Sequence, residues 1–412
     1  MIIIQFIQIN YAKENPILTT YTYYKNALQE TPKPCAFVDL ALFQQNAMDI
    51  AASSNAKPIR IASKSIRSVD LLKKIFSYSP LYQGIMCFTA DEAIYLQEQG
   101  FDDLLIAYPV WNATQLRKIS LLVKNNQTIT VMIDSIEHID RLEQIAKETK
   151  GTFLVCMDID LSSDFSGLHF GVHRSPIKTL EHALAIVNRV VDSTFLHLDG
   201  VMGYEAQIAG VTDNNPEQKA KNKIIQFLKR KSSKELLQKR KRIVDAIHAK
   251  GVSLRFINGG GTGSLHQTSQ EEQVTEVTVG SGFFNPHLFD YYRAFKRQPA
   301  MLFALEITRS PTPHIYTCAG GGYIASGAVG KDKQPQVFLP TGAQLTDNEG
   351  AGEVQTPIYY QGKIPLQHGD PIILRHSKSG ELCERFREIL LIDEGAVVDR
   401  ATTYRGDGKC FL

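Results

Sequence analysis

Between residues 58 and 281 short apolar runs alternate with amphipathic stretches. The runs Pro58–Ser63, Gly84–Thr89, Asp103–Tyr108, Thr128–Asp134, Phe153–Ile159, Phe195–Gly203, Ser253–Gly260 and Glu276–Ser281 are rich in Ile, Val, Leu and Phe. Strands buried on both faces have this near-continuous apolar character. Helical periodicity fills the gaps, over Ser68–Phe76, Thr89–Gln99, Ser135–Thr149 and Ser175–Asp192. Thr89-Ala-Asp-Glu92 reads as a capping box, and Ser135 opens a similar helix without the Glu. Eight strand–helix units in about 225 residues predict a (β/α)8 barrel. A doubly wound sheet is the alternative, because counting strands does not establish closure.

The texture changes after residue 296. Phe303–Thr308, His314–Cys318, Gln336–Phe338, Gly352–Tyr360, Pro371–His376 and Glu388–Asp393 are separated by Gly and Pro turns, which predicts an all-β domain. Cys35–Asp39 also reads as a strand and is expected to cross to that domain. The expected division is an N-terminal segment over 1–45 joining the β domain, a barrel over 46–296, and a C-terminal β domain over 297–412. The opening MIIIQFIQINYAKENP has no basic leader or cleavage site and is expected to be a structured or frayed terminus rather than an export signal. Eleven Lys and Arg crowd Lys219–Arg242, inside an insertion over 213–245. They read as a solvated helix face extending the sixth strand–helix unit.

Composition narrows the classes. The 412 residues suggest two or three domains. Hydrophobic residues are 43% and the net charge is +2, so nothing pulls the chain toward nucleic acid or membrane. No apolar run approaches the ~20 residues of a membrane helix. The six cysteines have no CxxC spacing, and Cys87 and Cys156 sit in strand-like runs as buried hydrophobes. A reducing cytoplasm is the expected location.

Barrel active sites lie at the C-terminal ends of the strands. Those ends carry Lys64, Tyr108, Asp134, Asp158 or Asp160, Tyr204 with Glu205, Gly259–Gly263 and Gly280–Gly282. Lys64 ends a buried run. Desolvation there would lower its pKa and make the amine nucleophilic, although a strand-end lysine can also simply snorkel. Asn258-Gly-Gly-Gly-Thr-Gly-Ser264 and Val279-Gly-Ser-Gly282 follow the seventh and eighth strands, the usual place for a phosphate cup; flexible turns are the plain alternative. Arg174 could hold a phenolate or a carboxylate, or form a surface ion pair. His376 and Cys383 flank a Ser-Lys-Ser-Gly sequence. A hairpin there would bring imidazole and thiolate together as zinc ligands; unrelated residues are the alternative.

These segments together resemble the fold-type III pyridoxal-phosphate proteins, an alanine-racemase-like barrel followed by the β domain of D-serine dehydratases and D-threonine aldolases. The bacterial amino-acid deaminase/aldolase branch is the nearest resemblance. It is carried by Thr31-Pro-Lys-Pro34, Phe37-Val-Asp39, Arg60-Ile-Ala-Ser-Lys-Ser65, Gly200-Val-Met-Gly-Tyr-Glu-Ala-Gln207, Asn258–Gly263, Glu276–Gly282, Gly350-Ala-Gly-Glu-Val-Gln-Thr-Pro357 and the His376/Cys383 segment. It implies pyridoxal 5'-phosphate in Schiff-base linkage to Lys64. It implies a phosphate cradle of Gly261, Thr262, Gly263 and Ser281, with Gly280 beside it. Arg174 would lie beside the ring and Tyr204 against it. Relatives hold a divalent metal, zinc or manganese, with a His followed two residues later by Cys or Asp. Here the residue two after His376 is Lys378, and the nearest thiol is Cys383. Relatives also tend to carry His where this chain has Gln207, and Gln is not a general base.

The implied activity is a lyase on a small D-β-hydroxy amino acid, giving an α-keto acid and ammonia as a D-serine dehydratase does. Retro-aldol cleavage, racemisation and a non-catalytic cofactor carrier are the alternatives. Racemisation needs a second base, for which Tyr204 is the candidate. A homodimer is expected from the same resemblance.

Overall fold

The computed structural model describes residues 20–328 and 330–412, so the expectation for the opening sixteen residues lies outside the described part. Eight parallel strands close into a barrel. In order they are Ile59–Ala62, Tyr82–Cys87, Leu104–Pro109, Ile129–Ile133, Phe153–Asp158, Leu196–Gly203, Phe256–Gly259 and Glu276–Val279. The eighth pairs with the first through Val277↔Ile59, which rules out the open doubly wound sheet. Each strand follows one of the apolar runs in the sequence.

Helix starts follow from local chemistry. Ser68, Thr89, Asn112, Ser135 and Thr179 each accept a hydrogen bond from an amide in the first helical turn. Such caps satisfy amides that have no partner within the helix. Two local expectations need correction. Glu92 does not complete a capping box on Thr89; it is fully buried and accepts the Phe88 amide at 2.7 Å and the Tyr404 hydroxyl at 2.9 Å. The expected helix Ser175–Asp192 begins only at Leu180, because Ser175 spends its hydroxyl on the Asp158 carbonyl.

The basic segment forms one helix, Lys219–Ala249. It is not solvated throughout. Arg240 is buried and pairs with Glu205 at 3.0 Å and with Glu271. Lys229 is buried against Asp213.

The second sheet has nine strands. Its long strand Met301–Thr312 pairs with Ile315–Ala319, with Pro371–Arg375 and with the early strand Cys35–Asp39. Cys35–Asp39 also runs parallel to Glu388–Asp393. Its last residue, Asp39, caps the helix Leu40–Ser53 that leads into the barrel. One buried carboxylate therefore fixes where the chain passes from the second sheet to the barrel. All six cysteines are free, and Cys87 and Cys156 are buried as expected. Among the described residues no helix is long and apolar enough to cross a membrane.

Inside the barrel, Leu105, Met132, Cys156, Met202 and Phe256 form an apolar plug. Below it Arg60 is fully buried, stacked on Phe256 and bonded to Glu276 at 2.7 Å and to Asp103 at 3.0 Å. Removing one member of a buried ion cluster leaves the other charges without compensation. Arg60→Met is expected to cost about 3–5 kcal/mol in a denaturant titration; a change within about 0.5 kcal/mol, the range of an ordinary surface substitution, would contradict this role.

Candidate active site

The first strand ends at Ala62, and a single 3-10 turn, Ser63–Ser65, carries Lys64 to the mouth of the barrel. Lys64 lines a cavity with Tyr108, Arg174, Tyr204, Gly261, Thr262, Gly280 and Ser281. These strand-end and loop residues, expected at the site, are thus brought together with Lys64 itself. The expected desolvation of Lys64 is not found, since its side chain is exposed. What singles it out is place: its amine has no hydrogen-bond or ion-pair partner among the described residues and opens onto the cavity.

Part of the cavity wall is made of small residues for a steric reason. A β-carbon at Gly280 would lie 2.8 Å from Ser65 Oγ and 2.9 Å from Ala62 Cβ; one at Gly261 would lie 2.9 Å from Ala209 Cβ. Ser281 Oγ is 3.1 Å from Ser65 Oγ, which ties the eighth-strand loop to the lysine turn. Thr262 Oγ1 accepts the Gly282 amide at 2.9 Å, tying the seventh-strand loop to the eighth. Gly263 does not line this cavity. It packs against the Ala209 carbonyl and the Tyr292 ring on the far side of the loop.

Arg174 is exposed and sits over two rings, 5.7 Å from the Tyr108 centroid and 5.3 Å from that of Tyr204. It has no carboxylate in ion-pair contact among the described residues. Burial pushes the Tyr204 phenol up to about 12, partly offset by Arg174. Other strand-end candidates serve the framework. Asp134 pairs with His138 at 3.0 Å. Asp160 caps the Ser162 amide, and Glu205 is buried among Arg240, Ser264 and Thr268. Gln207 is buried too, donating to the Leu161 carbonyl and to Ser232, away from the cavity. Sequence pattern does not reveal Met86, Phe88, Met202 and Phe289, which supply the apolar lining. Strand alternation places Met86 and Met202 only once register is known, Phe88 lies just past the second barrel strand, and Phe289 comes from the linker after the last strand.

Comparison with known proteins gives the family and the fold. The family model for the alanine racemase N-terminal domain matches residues 38–286. The chain belongs to that family. 3-Hydroxy-D-aspartate aldolase of Paracoccus denitrificans (strain Pd 1222) is 25% identical over 257 residues, which are 62% of this chain and 61% of the relative. The chain thus spans about three fifths of the length of the curated relatives it matches. D-threonine aldolase from Filomicrobium marinum superposes with a TM-score of 0.74 at 17% identity, over 92% of this chain and 96% of that one. D-threo-3-hydroxyaspartate dehydratase from Delftia sp. HT23 also gives 0.74 at 17% identity, over 92% and 98%. The fold shared with these structures includes the second sheet, and the fold-type III architecture read from the sequence is shown.

This family member does not have the expected metal hairpin. Between His376 and Cys383 the chain forms a short helix, Ser379–Cys383, rather than a turn and a second strand. The Cys383 thiol is pushed up to about 12 by burial and donates to the Ile66 carbonyl at 3.2 Å. His376 is buried, with Nδ1 engaged by the backbone of Lys378. No group of three or more His, Cys, Asp or Glu among the described residues is arranged to hold a metal. His376 and Cys383 therefore do not fit a shared ligand role.

Instead, this helix clamps the lysine turn from behind. A β-carbon at Gly380 would overlap the Lys64 carbonyl oxygen. Arg67, held at φ 52°, donates from Nε to the same carbonyl at 3.1 Å and from its terminal nitrogen to Glu384 at 2.6 Å. The Tyr404 amide closes on the Arg67 carbonyl at 2.9 Å. Ser379 reaches the Ser281 carbonyl at 3.2 Å.

Two outcomes follow from this packing. Gly380→Ala must push the Lys64 turn away, with an overpacking cost of about 1–3 kcal/mol in denaturant titration; an unchanged midpoint would show that the contact is slack. Asp158 supplies a pH test. Burial, then the neighbouring Asp134, push its carboxyl up to about 7, whereas in the unfolded chain it ionises near ~4. Between those values the folded state keeps a proton that the unfolded chain has released, so this group loses stability as pH rises. Asp158→Asn should gain stability relative to the parent from pH ~4 to ~7. A pH-independent difference would contradict the shift.

Proposed function

We propose that this protein is a pyridoxal-phosphate lyase that dehydrates a small D-β-hydroxy amino acid to an α-keto acid and ammonia. The observation that carries the reading is the Lys64 amine, which has no partner among the described residues, in one cavity with a small-residue cradle and with an arginine that has no carboxylate in ion-pair contact among them. The relatives' names, aldolases and dehydratases of D-hydroxy amino acids, support the class.

The residues present fit the cofactor. Gly261 and Gly280 line the cavity without side chains, so a phosphate group could approach their backbone, Thr262 and Ser281 add hydroxyls, and Lys64 is the amine within the same cavity. When bound, pyridoxal phosphate supplies an aldehyde for an amine and a ring that accepts an electron pair from Cα. Lys64 Nζ would carry the cofactor and, once released, take the α-proton. As an ammonium it would hand that proton to the departing hydroxyl, so that water leaves and the proton count balances. Arg174 presents a planar fork to the substrate carboxylate. Burial raises the Tyr204 phenol above its usual range, which favours a hydrogen-bond donor over the second base a racemase needs. Met86, Phe88, Met202 and Phe289 keep water from the reacting carbon.

The second reading is retro-aldol cleavage, favoured by the name of the Paracoccus relative. It needs a base for the β-hydroxyl, and the buried amide of Gln207 supplies none. No step is assigned to a metal, since the candidate ligands do not fit one. The proposal includes a homodimer.

Product analysis tests the reading. Incubated with D-serine, D-threonine and D-threo-3-hydroxyaspartate, the cofactor-loaded protein is expected to release an α-keto acid and ammonia. Glycine with an aldehyde would support the aldolase instead, and no product from any of the three would overturn both. Lys64→Ala is expected to lower turnover at least a hundredfold, roughly the lower bound for a lost general acid–base.

A further inference from the structure

A second cavity, of about 510 Å³, lies on the other side of the Thr262–Gly263–Ser264 loop. Its charged lining is lopsided. Lys229, Arg230, Arg293 and Arg297 face a single carboxylate, Asp213. That carboxylate is already engaged, by Lys229 at 3.3 Å and by the Arg293 amide at 3.0 Å. Among the described residues none of the three arginines has a carboxylate in ion-pair contact, although Asp49 lies near Arg297. Arg297 is the most exacting of them. Its Nε is buried with no hydrogen-bond partner, and its guanidinium lies over the Phe295 ring at 5.6 Å. Burial pulls its pKa below the usual arginine range. Asp49 attracts Arg297 from beyond ion-pair distance, so a partly buried guanidinium is left without a contacting carboxylate, a counter-charge that a bound anion would supply.

We propose that this cavity is a second anion site, distinct from the Lys64 cavity, that takes a phosphate dianion, free or as a small phosphate monoester. Guanidinium forks bind phosphate oxygens in bidentate fashion, and three of them around one space match a dianion better than a single carboxylate. Arg297 forms the inner contact, while the exposed Arg230 and Arg293 close over the outer oxygens. Lys229 stays tied to Asp213 and holds the helix Lys219–Ala249 at the cavity wall.

Neither Arg293 nor Arg297 lines the Lys64 cavity, so their substitution reports on this site alone and independently of the proposed activity. Equilibrium dialysis of the full chain, loaded with pyridoxal phosphate and freed of excess cofactor, against labelled inorganic phosphate at ionic strength fixed with sodium chloride compares the parent with Arg297→Gln and Arg293→Gln. The parent is expected to bind one phosphate that both variants bind at least tenfold more weakly. Competition by glycerol phosphate on the cofactor-loaded parent separates the sources: displacement at lower concentration than inorganic phosphate identifies a monoester as the ligand, and weaker displacement identifies the free ion. Identical binding by the parent and both variants, or no saturable binding by the parent, would overturn the proposal. Circular dichroism of both variants excludes unfolding as the reason for any loss.

Discussion

Everything at the barrel mouth depends on how one carbonyl oxygen, that of Lys64, is held. The lysine stands on a single 3-10 turn, which has little rigidity of its own. Rigidity comes from the second sheet. Gly380 fits directly against that carbonyl, Arg67 donates to it, and Glu384 and Tyr404 fix Arg67 in turn. Any side chain at 380 would displace the turn, and the positive φ of Arg67 is held only because both ends of the residue are bonded. The second sheet therefore contributes to the site by position: it supports the amine from outside the barrel.

The same constraint explains why the early strand Cys35–Asp39 belongs to the far sheet. It pairs with Met301–Thr312 and with Glu388–Asp393 before the chain enters the barrel. Strand Glu388–Asp393 follows directly on the segment that carries Gly380 and Glu384. The barrel and its clamp are thus tied covalently at both ends of the barrel sequence, and a large shared core runs through the junction.

The barrel was legible because buried parallel strands leave continuous apolar runs that polar loops punctuate, and the hydroxyl caps marked the helices. Lys64, Arg174, Tyr204 and the two small-residue loops were legible because strand ends converge at one mouth. What escaped is tertiary in origin. Ser377–Gly380 has turn composition, yet packing against Lys64 makes it the entry of a helix, and Cys383 becomes a buried hydrophobe instead of a ligand. Arg240 looks like one more cation in a basic run, but its register on the helix turns it inward to Glu205 and Glu271. Periodicity cannot show a partner that lies in another unit.

The central claim is that Lys64, placed by this clamp, is the amine that takes the cofactor. Loading with pyridoxal phosphate, reduction with borohydride and peptide mass mapping test it most directly. The account predicts one stable pyridoxyl adduct per chain, on the peptide containing Lys64. A protein that stays unlabelled, or that carries the adduct on another lysine, would contradict it.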